Sequence, residues 1–143
     1  MIVRISPVNG GTEPAASRRP GKQGNLDTQY SVALTSPTPV IYYTIGGRQW
    51  VGPKSGKPVR GDQYLEWLLY ITEAPNIPQT ISVPYFIKEP EITAEYAKTL
   101  CDLFARLGSR GVSVLVASGD DGVGQSDCNQ FYTVFPASCT SDD

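Results

Sequence analysis

The chain has 143 residues, carries 12 Lys and Arg against 14 Asp and Glu, and contains no histidine. A net charge of −2 leaves no electrostatic footprint for nucleic acid or an anionic membrane. The missing imidazole excludes a Ser-His-Asp or Cys-His centre, a histidine-ligated metal and a histidine pH switch within these residues, so acid–base chemistry must fall to carboxylates, lysine, tyrosine or cysteine.

In chain order, the opening Met1-Ile2-Val3-Arg4-Ile5-Ser6-Pro7 lacks the apolar core of a signal peptide. Residues 1–22 read as an irregular N-terminal segment. Prolines, glycines and the basic Arg18, Arg19 and Lys22 give no periodicity there, and the basic residues read as a solvated loop. A short helix is expected over 23–34 and a strand over 40–44. A loop follows over 46–61, holding Trp50, Pro53 and Pro58. Asp62 is a credible cap for a helix to about residue 72, with Tyr64, Leu65, Leu68, Leu69 and Ile71 on its apolar side.

Residues 80–83 form the next expected strand. Thr93 can cap a second helix in which Tyr96, Leu100, Leu103, Phe104 and Leu107 share one face, and Gly108 suits a left-handed stop. Residues 112–117 are apolar and β-branched, the composition of a buried strand. Strand–helix–strand–helix–strand with short links predicts an α/β fold with a parallel sheet and flanking helices.

The last strand runs into Ser118-Gly119-Asp120-Asp121-Gly122-Val123-Gly124. Ligand and catalytic groups of open α/β sheets gather at the carboxyl ends of the strands, where Asp120 would stand. A phosphate loop is a poor alternative: the glycine spacing is Gly-x-x-Gly-x-Gly, no Lys-Ser/Thr follows, and paired aspartates repel phosphate. Calcium held by Asp120, Asp121 and Asp127 fits no standard loop spacing. The three cysteines, Cys101, Cys128 and Cys139, lack the paired spacing zinc prefers. Cys128 and Cys139 can pair across a loop, leaving Cys101 over, but spacing alone does not fix the connectivity.

Three motifs in order carry a resemblance. They are the Gly-Asp loop with Phe135-Pro136-Ala137-Ser138-Cys139, the stretch over 103–115, and Gly24-Asn25-Leu26-Asp27-Thr28-Gln29-Tyr30. Together they resemble the sedolisins, the serine-carboxyl peptidases that include fungal tripeptidyl-peptidases. The resemblance implies a subtilisin-like parallel sheet, here truncated, with residues 23–143 as a partial catalytic domain. It also implies a peptide or protein substrate cut at acidic pH, an exported protein, and no cofactor in this chain. The family's calcium site and its nucleophilic serine lie in a downstream part that this chain does not reach. The oligomeric state is left open.

In such peptidases a helix presents a Glu and an Asp four residues apart, on one face. The Glu is general base to the serine and the Asp orients it. By resemblance Asp27 takes the aspartate position and Gln23 stands where the Glu belongs. An amide keeps the hydrogen-bond geometry but cannot accept a proton at any useful pH. Asp120 takes the position that completes the oxyanion hole, where a carboxylic acid donates only while protonated. Ser118 and Gly119 precede it at the substrate cleft. The family's cleft wall ends in Ser-Tyr-Gly. Here Pro84, Tyr85 and Phe86 follow the strand, so a backbone donor is lost at Pro84 and bulk is added at Phe86.

Overall fold

The computed structural model describes residues 3–12, 21–47, 63–123 and 131–140. The chain divides into two compact units, Met1–Gly47 and Arg48–Asp143.

In the first unit, β1 (Val3–Val8) and β2 (Val40–Ile45) pair in parallel, with Val3 opposite Val40 and Val8 opposite Ile45. Parallel neighbours need a long crossover, and α1 (Lys22–Thr35) supplies it and packs on β2. The strand β1 corrects the expectation that residues 1–22 are irregular. Its Pro7 lies within the ladder. A proline is tolerated where the ladder does not need its N–H, as on an edge, and Pro7 stands opposite Thr44. The expected loop residues 13–20 and 48–61 and the expected cap Asp62 lie outside the described residues.

The second unit begins with α2 (Tyr64–Glu73), whose N-cap residue is Gln63, without a side-chain cap bond. Its buried residues are Tyr64, Trp67, Leu68, Ile71 and Thr72. Leu69, assigned from the sequence to the apolar side, is 51% exposed. The positions i, i+3, i+4 and i+7 counted from Tyr64 give Trp67, Leu68 and Ile71, a stripe that leaves Leu69 outside.

Next come β3 (Thr80–Val83), β4 (Ile87–Lys88), a 3-10 turn (Glu89–Glu91), α3 (Ala94–Ser109), β5 (Ser113–Val116) and β6 (Val134–Phe135). As expected, Thr93 caps α3, its side chain accepting from the Tyr96 N–H at 3.2 Å. The helix runs through Gly108, however, and the left-handed residue is Gly111, at φ +81°. The amides of Arg110, Gly111 and Val112 close the end onto Leu107 and Gly108 carbonyls.

The strands β3 and β5 pair in parallel with α3 between them, and β4 pairs antiparallel with β6. The α/β class with parallel strands and flanking helices is therefore as expected. The pairing differs in detail: β2 takes β1 as its partner, and β3 takes β5. Ile81 lies opposite Val114 and Val83 opposite Val116, so these four share one face of the β3–β5 pair. Leu68, Ile71, Leu100, Leu107 and Phe135 are the largest fully buried side chains, each contributing about 1.5–3 kcal/mol by leaving water.

Cys139 is bonded to Cys101, across a sequence separation of 38 and a Cα–Cα distance of 5.5 Å. This replaces the Cys128–Cys139 pairing considered from the sequence; Cys128 itself lies outside the described residues. The bond ties the turn after β6 to α3.

Candidate functional site at the carboxyl ends of the paired strands

The ladder between β3 and β5 continues one step past Val116, where the Ala117 N–H donates to the Val83 carbonyl at 3.1 Å. Both strands therefore leave the sheet side by side and in the same direction. From β3 come Pro84, Tyr85 and Phe86, and from β5 come Ser118, Gly119 and Asp120. Six residues singled out from the sequence thus issue from one sheet end, although 31 or more positions separate the two groups. Pro84, Ser118 and Asp120 are exposed, Tyr85 is 38% exposed, and Phe86 and Gly119 are half-buried.

The loop after β5 turns at Gly119 (φ +89°) and Gly122 (φ +72°). These left-handed conformations strain any residue with a Cβ. They allow turns on either side of Asp120, which follows directly on the end of β5. A carboxyl group there can accept hydrogen bonds when ionised and donate one when protonated.

The wall opposite is anchored from below. Tyr64 is 4% exposed, and its hydroxyl donates to the Tyr85 carbonyl at 2.7 Å. The Tyr64 ring meets those of Tyr85, Phe104 and Phe135 with centroids 5.5, 6.2 and 6.1 Å apart. In the sequence, Tyr64 stands out only as part of an apolar helix face. The available signal was chemical: a tyrosine buried on a helix needs a partner for its hydroxyl.

Directly after residues 84–86 in the chain, β4 pairs with β6 and holds the 131–140 segment. Glu89 sits at the end of β4, accepting from the Ser138 and Thr133 hydroxyls. Those two bonds, Ser138 first, hold its carboxyl below the usual 4.5 despite opposing desolvation. Lys88 donates to the Tyr132 hydroxyl at 3.1 Å and lies 5.2 Å from that ring's centre. The sign of the Glu89 effect follows from linkage: a depressed folded pKa adds stability above the unfolded pKa, and that stability is lost as pH falls through the folded value. We therefore expect Glu89→Gln to flatten the loss of stability on acidification below about pH 4.5. Thermal melts of both proteins between pH 3 and 6 check this; parallel profiles would refute it. The effect is small, since Glu89 is exposed.

Gln23 and Asp27 stand in the first unit, one turn apart on α1. Gln23 is exposed and Asp27 half-buried. Among the described residues, no group of three His, Cys, Asp or Glu side chains could hold a metal ion, and no helix is long and apolar enough to cross a membrane.

No model of a known protein family matches the chain. Individual proteins do. The chain is 35% identical to tripeptidyl-peptidase SED2 of Arthroderma otae over 145 aligned residues, covering 92% of this chain and 24% of that protein. It is 33% identical to tripeptidyl-peptidase sed4 of Aspergillus fumigatus, over 82% of this chain and 22% of that protein. Among solved structures it is similar to a Pseudomonas sedolisin, a serine-carboxyl proteinase solved with two molecules of pseudo-iodotyrostatin. The TM-score is 0.64 at 17% identity, covering 96% of this chain and 38% of that one. That likeness shows a shared fold. The chain spans about a quarter of the length of the curated relatives it matches.

Proposed function

We propose, on the premise that the chain belongs to the sedolisin family over the stretch it shares with its relatives, that it forms the peptide-binding part of a serine-carboxyl peptidase catalytic domain. We propose further that, with Gln23 at the base position, it holds peptides without cutting them. The first statement is carried by one observation: residues 84–86 and 118–120 leave paired parallel strands side by side. An extended peptide can lie against such edges through main-chain hydrogen bonds.

In this reading Asp120, protonated in acid, donates to the scissile carbonyl oxygen. Asp27 orients the group one turn before it on α1. That group is an amide, which can hold a hydrogen bond but not take up the serine proton. Removing one member of a catalytic set of this kind costs about 10⁴-fold or more in rate. The substrates are peptides or proteins, and the family's working compartment is extracellular and acidic. A second reading, a working acid peptidase, is favoured by the tripeptidyl-peptidase relatives.

One experiment separates the two. The full chain is titrated with a fluorescent oligopeptide between pH 3 and 7, and hydrolysis of a chromogenic tripeptide amide is followed in parallel. The expected result is saturable peptide binding with hydrolysis no faster than in buffer. Hydrolysis by the Gln23 protein would establish the second reading. Absence of saturable binding at every pH would remove the peptide cleft itself.

A further inference from the structure

The geometry points to Tyr64 as the positioning residue of the peptide-binding wall, acting through the backbone of Tyr85. This inference rests on the cleft described under Proposed function.

The wall bridges two strands. Between the last ladder residue of β3, Val83, and the first of β4, Ile87, the three residues 84–86 belong to no strand. Pro84 cannot donate from its backbone. The Tyr85 carbonyl, in the middle of this gap, is held by the Tyr64 hydroxyl at 2.7 Å. A carbonyl fixed on one side sets the plane of its peptide unit. It thereby sets the direction of the Phe86 N–H in the same plane. A substrate strand laid on this wall would meet groups whose orientation Tyr64 dictates.

Tyr64 is itself well anchored. Its ring is wedged among Tyr85, Phe104 and Phe135, with the Phe104 and Phe135 contacts edge-on at 65° and 88°. Phe135 is 1% exposed. Phe104 belongs to α3 and Phe135 to β6, so one side chain gathers two elements and passes their rigidity to the cleft wall. Tyr64 does not reach the reacting atoms in this scheme. Its role is to hold the wall.

Tyr64→Phe tests this, because it removes the hydroxyl and keeps the ring. The expected result is peptide binding weakened about tenfold, with a melting temperature within a few degrees of the unaltered chain. Amide hydrogen exchange at Tyr85 and Phe86 should speed up, while exchange across β3 and β5 stays the same. Trp67→Phe, which loosens the same core without touching the wall, serves as the control and should leave binding near normal. Unchanged exchange at Tyr85 and Phe86 in Tyr64→Phe overturns the inference whatever the binding result. Equal losses of binding in Tyr64→Phe and Trp67→Phe would reduce Tyr64 to a packing residue and also overturn it. If the unaltered chain binds no peptide, the cleft reading falls and takes the functional half of the inference with it. The exchange data then still decide whether Tyr64 fixes the wall.

Discussion

Phe135→Ala is expected to lower the unfolding free energy of the second unit by about 3–5 kcal/mol. Against a typical total of about 5–15 kcal/mol, that brings the protein close to unfolding at room temperature. The size follows from position. Phe135 is 1% exposed, lies in the short β6 strand opposite Ile87, and sets its ring edge-on to Tyr64. Truncation removes the transfer energy of the ring and leaves a cavity that a disulfide-tied turn cannot easily collapse into. The comparison is Phe131→Ala: that ring is 77% exposed, and its loss should change stability by no more than about 0.5 kcal/mol. Urea unfolding of the three proteins reads both effects. A shift below about 1 kcal/mol for Phe135→Ala would mean the ring is not in the core.

Loss of the Cys101–Cys139 bond is expected to cost about 4 kcal/mol, the chain-entropy value for a loop closed over 38 positions. Cys101→Ser, or thiol reductant added to the unaltered chain, should lower the urea midpoint and steepen the slope, because the uncrosslinked unfolded chain exposes more surface. Non-reducing peptide mapping gives an independent check. It should yield Cys101 and Cys139 in one linked peptide. Recovery of Cys128 linked to Cys139 would refute the connectivity. Without the bond, the turn after β6 would rest on a two-residue ladder, on the packing of Phe135 and on the hydroxyl contacts to Glu89.

How far the sequence disclosed this structure depended on how local each cause was. Helix α3 was legible because its cap, Thr93, and its apolar stripe are both written within a few residues. Strand β5 was legible as an apolar run ending in a glycine-rich turn, and with it the sheet end that carries Asp120, but it is not the buried strand its composition suggested, for Leu115 is 61% exposed. The two-residue strands β4 and β6 were not. Such pieces exist only because they meet each other, 46 or more positions apart in the chain, and no window of sequence holds both. The same holds for Cys101 and Cys139, whose pairing is a fact of α3 packing rather than of spacing. Strand β1 was hidden by Pro7 and by the glycine-rich stretch after it. Of the site, the residues at the sheet end were found through their motif, whereas Tyr64 was not. Its hydroxyl partner is a backbone carbonyl 21 residues away, and a carbonyl leaves no mark on a sequence.

The end of α3 has a further role. Arg110 reaches back from just beyond that helix and donates to the carbonyls of Thr72 and Ala74, the latter at 2.9 Å. Those carbonyls close α2, where a helix has acceptors without donors and a partial negative charge. A single guanidinium thus serves as the terminus of a helix to which it does not belong, and the end of α2 is complete only once α3 has formed. Fraying, which in most helices begins freely at the last turn, would here require the partner helix to let go as well. The pair is therefore suited to open and close as one cooperative block, lending the strand between them, β3, a support that persists through the fluctuations of its surface loops.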